Sequence, residues 1–148
     1  MEKIKSFTID HTKLIPGFYI SREDGNIITY DLRTCKPNGG SYMDNRTMHS
    51  FEHMFATFAR NSDIKDNVIY FGPMGCQTGF YVTLLNVSDY QETLNLIENT
   101  LKDVLQATEV PACNVVQCGW AASHSLEGAQ KIAQYLLDNR HQWEEVFA

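Results

Sequence analysis

Two histidines four residues apart, with a glutamate between them, constrain this chain more than any other feature. In His49-Ser50-Phe51-Glu52-His53 the imidazoles can act together only if the segment is helical. Residues four apart then lie about 40° apart around the axis and one turn apart along it, so both rings can reach one metal ion. Glu52 sits beside that stripe, placed to move protons at a metal without binding it. The order His-x-x-Glu-His inverts the His-Glu-x-x-His zinc signature. Met48, Phe51, Phe55 and Phe58 follow a 3-4-3 spacing and make an apolar stripe roughly opposite the histidines. Asp44, Asn45 and Thr47 are all helix-capping types just upstream. The bland alternative is a solvent-facing polar side on which two histidines fall by chance. Glu52 weighs against it, because it supplies the acid–base group that metal catalysis needs.

Composition narrows the setting. A chain of 148 residues with 43% hydrophobic and 20% charged residues reads as one globular domain, spanning residues 1–148, that buries a real core. The net charge of −6 argues against nucleic acid or an anionic membrane as the main partner. No apolar run approaches the ~20 residues of a membrane span. Met1-Glu2-Lys3-Ile4-Lys5 is not followed by the apolar run of a secretory signal, so a cytosolic chain is expected. Cys35, Cys76, Cys113 and Cys118 are then expected as reduced thiols, available to bind metal or to catalyse.

Along the chain, residues 27–32 alternate as a strand after the turn signal Asp24-Gly25-Asn26, and Lys36-Pro37-Asn38-Gly39-Gly40 ends it as a loop. The histidine helix runs to about Arg60. Residues 68–71 and 80–87 read as two strands of a hairpin around Gly72-Pro73-Met74-Gly75-Cys76, with Cys76 near the tip. Ser88-Asp89-Tyr90-Gln91 has capping-box spacing and opens a helix whose buried stripe is Tyr90, Leu94, Ile97, Leu101 and Leu105. Residues 113–119 fit a short strand or an irregular loop. Ser125 caps a last helix with Ala129, Ile132, Ala133, Leu136 and Trp143 facing inward. Strands and helices mix without a βαβ rhythm, which predicts an α+β fold: an antiparallel sheet packed with about four helices.

A catalytic metal site needs a third ligand, and a thiolate suits two imidazoles on Zn²⁺ or Fe²⁺. Cys118 and Cys113 are both candidates. If both bind, a closed Cys₂His₂ structural site results and catalysis is excluded; if one binds, a position stays open. Cys76 is either a small buried hydrophobe or a thiol presented by a tight turn. His11, His124 and His141 read individually as structural or surface histidines. Arg33, just after a strand, reads as a surface charge or as a binder of a carboxylate or hydroxyl-rich substrate.

Taken together, the motifs resemble the S-ribosylhomocysteine lyase (LuxS) family. The matching strings are Ser6-Phe7 with Asp10-His11, Tyr30-Asp31-Leu32-Arg33 with Lys36-Pro37-Asn38, and His49-Ser50-Phe51-Glu52-His53. They continue with Pro73-Met74-Gly75-Cys76-Gln77-Thr78-Gly79, Thr108-Glu109-Val110-Pro111-Ala112, Gln117-Cys118-Gly119 and Leu126-Glu127-Gly128-Ala129. All stand in family order, and the Pro-Met-Gly-Cys-Gln-Thr-Gly string is highly specific. The resemblance implies a homodimer with active sites at the subunit interface. It implies conversion of S-ribosylhomocysteine to homocysteine and 4,5-dihydroxy-2,3-pentanedione, the autoinducer-2 precursor, within methyl-group recycling. It further implies His49, His53 and Cys118 as ligands of one divalent metal, usually Fe²⁺, with Zn²⁺ or Co²⁺ able to replace it. Glu52 and Cys76 become the acid–base pair, and Ser6, His11 and Arg33 match substrate-contacting positions. The rival readings are an inverted-motif metallopeptidase, which usually needs a carboxylate as third ligand, and a non-enzymatic domain with the closed zinc site.

The sequence departs from the family pattern in places. Tyr70 stands where many relatives carry a polar or acidic pocket residue, and Gly72 precedes the Pro-Met-Gly-Cys string. Val115-Val116 replaces a more polar pair. Cys113 falls where relatives often have a small residue, which argues against it as a ligand. The segment 21–26 looks trimmed.

Overall fold

Four antiparallel strands carry the architecture, in the spatial order β1-β2-β4-β3. They are β1 (Gly17–Asp24), β2 (Ile27–Arg33), β3 (Val68–Pro73) and β4 (Gly79–Leu85). Three helices, α1 (Asn45–Ala59), α2 (Tyr90–Gln106) and α3 (Leu126–Asp138), pack together against one face of the sheet. The computed structural model describes residues 1–87 and 89–145, without the side chain of Ser6. The α+β expectation therefore holds, with three α-helices among the described residues instead of about four.

Each turn has a local cause. Gly25, at φ +63°, takes the first central position of the two-residue β1–β2 turn, where a left-handed residue is required. Asn86, at φ +58°, ends β4 two residues before the strand predicted from the sequence stops. Strand β1 was not legible as alternation. Its first half is buried and its second half polar, because Phe18 N–H donates to the Trp143 carbonyl at 2.9 Å while residues 22–24 run out along an exposed edge.

Capping fixes the helix starts. Of the three capping candidates before α1, Asp44 is the N-cap, accepting from Thr47 N–H at 2.8 Å. Asp89 caps α2 through Gln91 N–H, and Ser125 caps α3 through Gly128 N–H. Ser88, expected to open the α2 capping box, lies outside the described residues.

The core joins Phe51, Met54 and Phe55 of α1, Leu94, Ile97 and Leu101 of α2, and Ala129, Ala133 and Leu136 of α3 to the inward residues of the sheet, among them Tyr30, Leu32, Phe80, Val82 and Leu84. Met48 and Phe58 flank it half-buried. Trp143 closes one end, fully buried, with its indole N–H on the Leu136 carbonyl at 2.8 Å. No helix among the described residues is long and apolar enough to cross a membrane.

Opposite the helices, the odd-numbered residues of β2 face outward, and there the sheet buries two charges. Asp31 sits between Tyr19 and Tyr81 in register, and Arg33 between Gly17 and Gly79. A Cβ on Gly79 would come within 3.4 Å of the Arg33 stem, so two flanking glycines leave the trough in which that long side chain lies. Gly72 and Tyr70 compensate in the same way: a Cβ on Gly72 would overlap the Tyr70 hydroxyl. The Tyr70 ring lies in the space that Gly72 leaves open.

Candidate active site

The α1 helix places His49 and His53 as the spacing requires, half-buried under the irregular segment between α2 and α3. That segment supplies the polar partners. His49 Nδ1 lies 2.8 Å from the Ser123 carbonyl, and His53 Nδ1 lies 2.8 Å from the Pro111 carbonyl. A carbonyl can only accept, so in both rings Nδ1 carries the proton and Nε2 presents its lone pair. This is the backing by which proteins orient imidazole ligands. The alternative of two chance histidines on a solvated face does not account for two such anchors.

Residues 113–119 form turns and no strand. The Asn114 side chain accepts from Val116 N–H and Gln117 N–H, both at 3.0 Å, and Cys118 N–H donates to the Asn114 carbonyl at 2.9 Å. This loop carries Cys118 Sγ to 3.4 Å from His49 Nε2. His124 completes the group, with Nε2 at 3.5 Å from the same sulfur. One donor atom from each of His49, His53, Cys118 and His124 lies within 4.8 Å of the others, and together they can hold one metal ion. Two carbonyl-backed imidazoles and a thiol are a donor set that suits a divalent transition metal.

His124 is the member that sequence reasoning passed over. Its backing differs: Nδ1 meets the Ser50 hydroxyl at 2.9 Å, and that oxygen also accepts from Ser125 N–H at 2.7 Å. A hydroxyl can donate or accept, so the His124 tautomer is not dictated as the other two are. Burial, with His49 and His53 nearby, holds the His124 pKa below its ordinary value. The available signal was Ser50, a buried polar residue on α1 that needs a partner.

Cys113 stays outside the group, exposed, with its sulfur on the Ala121 carbonyl at 3.5 Å. The closed Cys₂His₂ site therefore does not form from Cys113. The group contains no carboxylate, which disfavours the metallopeptidase reading. Glu52 is half-buried on the same helix.

A second cluster surrounds Cys76. The β3–β4 turn, with Met74 N–H on the Gly79 carbonyl and Gln77 at φ +63°, holds this thiol exposed at the hairpin tip as expected. Behind it, Arg33 is only 2% exposed. Its Nη1 donates to Thr78 Oγ1 at 2.8 Å and lies 4.0 Å from Cys76 Sγ, and its Nη2 donates to Asp31 Oδ2 at 2.5 Å. Tyr19 O–H donates to the same carboxylate oxygen at 2.5 Å. Burial raises the Asp31 pKa, and Arg33 and Tyr19 offset this only in part. Burial alone would lower the Arg33 pKa, but Asp31 and Tyr19 outweigh it and the guanidinium stays charged. His11 is half-buried, holds Nδ1 on the Ile9 carbonyl at 2.9 Å, and lies near enough to act on Asp31 electrostatically. Ser6 belongs to a short 3-10 turn, Lys5–Phe7, and its side chain lies outside the described ones.

Among the described residues no hydrogen bond or ion pair joins the metal group to the thiol cluster. A cleft of about 360 Å³ beside the metal group is lined by Asp44, Asn45, Arg46, Trp120, Ala122 and Ser123, and by neither Glu52 nor Cys76.

Fold and site thus define an α+β protein with a histidine–cysteine group suited to a metal and a separately presented thiol. Residues 4–147 match the family model described as S-Ribosylhomocysteinase (LuxS). The chain is 51% identical to an S-ribosylhomocysteine lyase of Staphylococcus haemolyticus, over 97% of this chain and 94% of the relative. Proteins of the same name from Chromohalobacter salexigens and Halobacillus halophilus are 50% and 51% identical, covering 98% and 97% of this chain and 96% and 97% of their own lengths. The chain belongs to the S-ribosylhomocysteinase (LuxS) family.

Proposed function

We propose that this protein is a metal-dependent carbon–sulfur lyase that converts S-ribosylhomocysteine to homocysteine and 4,5-dihydroxy-2,3-pentanedione. The observation that carries the reading is the convergence of His49, His53 and Cys118, with Glu52 next to His53 on the same helix, in a chain matched to the family over residues 4–147. Of the four converging donors these three would hold one divalent metal, Fe²⁺ natively with Zn²⁺ or Co²⁺ as substitutes, and His124 would stand beside it. Bound there, the metal supplies Lewis-acid stabilisation of the negative charge that develops on the sugar oxygens.

The chain's own groups move the protons. Cys76, as thiolate, takes the proton from the carbon next to the carbonyl and returns it to the neighbouring carbon, so the carbonyl migrates along the ribose. Glu52 carries protons between adjacent oxygens. Once the carbonyl stands at C3, Cys76 removes the proton from C4, the C5–S bond breaks, and homocysteine leaves as its thiolate. Ser6 and His11 contact the substrate, and Arg33 forms the pocket floor beneath the thiol.

The enzyme is a homodimer whose pockets lie at the subunit interface, with its thiols kept reduced in the cytosol. Val115 and Val116 support this interface reading. They are 87% and 90% exposed on the loop that carries Cys118, with the exposed Trp120 beside them. The product makes the chain a source of the autoinducer-2 signal used in quorum sensing.

The test supplies S-ribosylhomocysteine anaerobically to Fe²⁺-loaded protein and follows free thiol release. Homocysteine is expected only with metal present, with an isotope effect from a C2-deuterated ribose. Absence of thiol release from fully metallated dimer, alongside cleavage of an unstructured peptide, would overturn the lyase reading in favour of a metallopeptidase.

A further inference from the structure

We propose that Thr78 is a positioning residue for the reactive thiol: its hydroxyl donates to Cys76 Sγ and relays to it the charge of the buried Arg33. The direction of the relay follows from donor chemistry. A guanidinium has no acceptor, so the 2.8 Å contact between Arg33 Nη1 and Thr78 Oγ1 uses a lone pair of the oxygen. Cys76 Sγ lies 3.0 Å away, and a thiolate can only accept, so toward ionised Cys76 the Thr78 hydroxyl is the donor. The direct approach of Arg33 to the sulfur is 4.0 Å, so the threonine makes the short contact.

Placement fits the same role. Cys76 is exposed at the hairpin tip, whereas Thr78 and Arg33 are 1% and 2% exposed directly behind it. A hydrogen bond to a charged group is shielded least where its donor is buried. Arg33 cannot turn away. Asp31 Oδ2 holds Nη2, Tyr19 holds the same carboxylate, and the trough between Gly17 and Gly79 confines the stem. The arrangement leaves Arg33 Nε and Asp31 Oδ1 buried without a hydrogen-bond partner. His11 of the N-terminal segment lies near enough to act on Asp31, so the network borders that segment.

The inference rests on Cys76 as the proton-moving group of the proposed function, and its test reads the thiol directly. Holoenzyme with wild-type sequence, Thr78→Val and Thr78→Ser is treated with iodoacetamide at pH 7, and carboxamidomethylation is followed on the Cys76 peptide by mass spectrometry. Losing one hydrogen bond to a charged acceptor is expected to lower the thiolate population roughly tenfold. The more basic thiolate is a better nucleophile, which returns about threefold of that. Alkylation of Thr78→Val should therefore be about threefold slower, kcat should fall roughly tenfold with KM little changed, and Thr78→Ser should restore both. If Thr78→Val does not fold, Thr78→Ala carries the same expectation. Alkylation of the hydroxyl-free variant at the wild-type rate, or failure of Thr78→Ser to rescue it, overturns the proposal. Inactive wild-type protein with an unaltered alkylation difference would instead count against the lyase reading alone.

Discussion

Removing either member of the Asp31–Arg33 pair should expose how strongly the sheet depends on it. The two side chains are 1% and 2% exposed, so solvent screening offers little relief. Breaking a buried ion pair by deleting one partner costs about 3–5 kcal/mol, because the remaining charge is stranded. Arg33→Met keeps the length of the side chain and strands Asp31; Asp31→Asn keeps its shape and strands Arg33. At roughly 2–4 °C per kcal/mol for a chain of this size, each variant should melt about 6–20 °C lower. The double variant removes both charges and should lose much less than the sum, since well-packed neutral replacements of buried pairs are often close to neutral. The pH dependence has a definite sign. The folded-state pKa of Asp31 is raised above its ordinary 3.8 by burial, so its contribution to stability is fully present below that value and is lost as pH rises through the folded pKa. Without Arg33 the carboxyl has lost its main charged support, so the Arg33→Met deficit should shrink in acid and widen toward neutrality. Thermal and urea denaturation followed by circular dichroism read both effects. Single-variant losses below about 1 kcal/mol, or a double variant equal to the sum, would refute the reasoning.

Three further outcomes are expected. Cys118→Ala should strip metal and activity together while Cys113→Ala keeps both; metal analysis of the purified protein decides, and full retention in Cys118→Ala with loss in Cys113→Ala would contradict the ligand assignment. Cys76→Ala and Glu52→Gln should keep metal and fold but lose about 10²–10⁴-fold in turnover, as general acid–base groups do; near-full activity in either removes that residue from the mechanism. Mixing His53→Ala with His11→Ala subunits should recover part of the wild-type activity if each pocket combines the N-terminal region of one protomer with the metal helix of the other; a fully active monomer at high dilution would exclude a shared pocket.

Short-range energetics made much of this protein readable from its residues. The histidine helix, the Ser125 cap, the inward stripes of α2 and α3 and the hairpin tip at Cys76 depend on contacts within a few positions, and periodicity and turn chemistry report those directly. The α+β class and the family followed from the same strings. The site was only half legible. His49 and His53 declare themselves, but the carbonyls of Pro111 and Ser123 that fix their tautomers lie 58 and 74 residues away. Those carbonyls belong to a segment with no regular period. His124 could not be distinguished from a surface histidine until α3 docked on α1 and brought Ser50 beneath it. Arg33 read as a surface charge for a sound reason: alternation in β2 does turn it away from the helical core. Its burial comes from neighbours across the sheet, the glycines at 17 and 79 and the carboxylate of Asp31, whose register exists only once β1 and β4 have paired. Sequence determined which local elements form and which side chains carry chemistry. Tertiary structure decided which of those side chains meet, because convergence of donors from distant loops is set by helix docking and strand register, which leave no period in the chain.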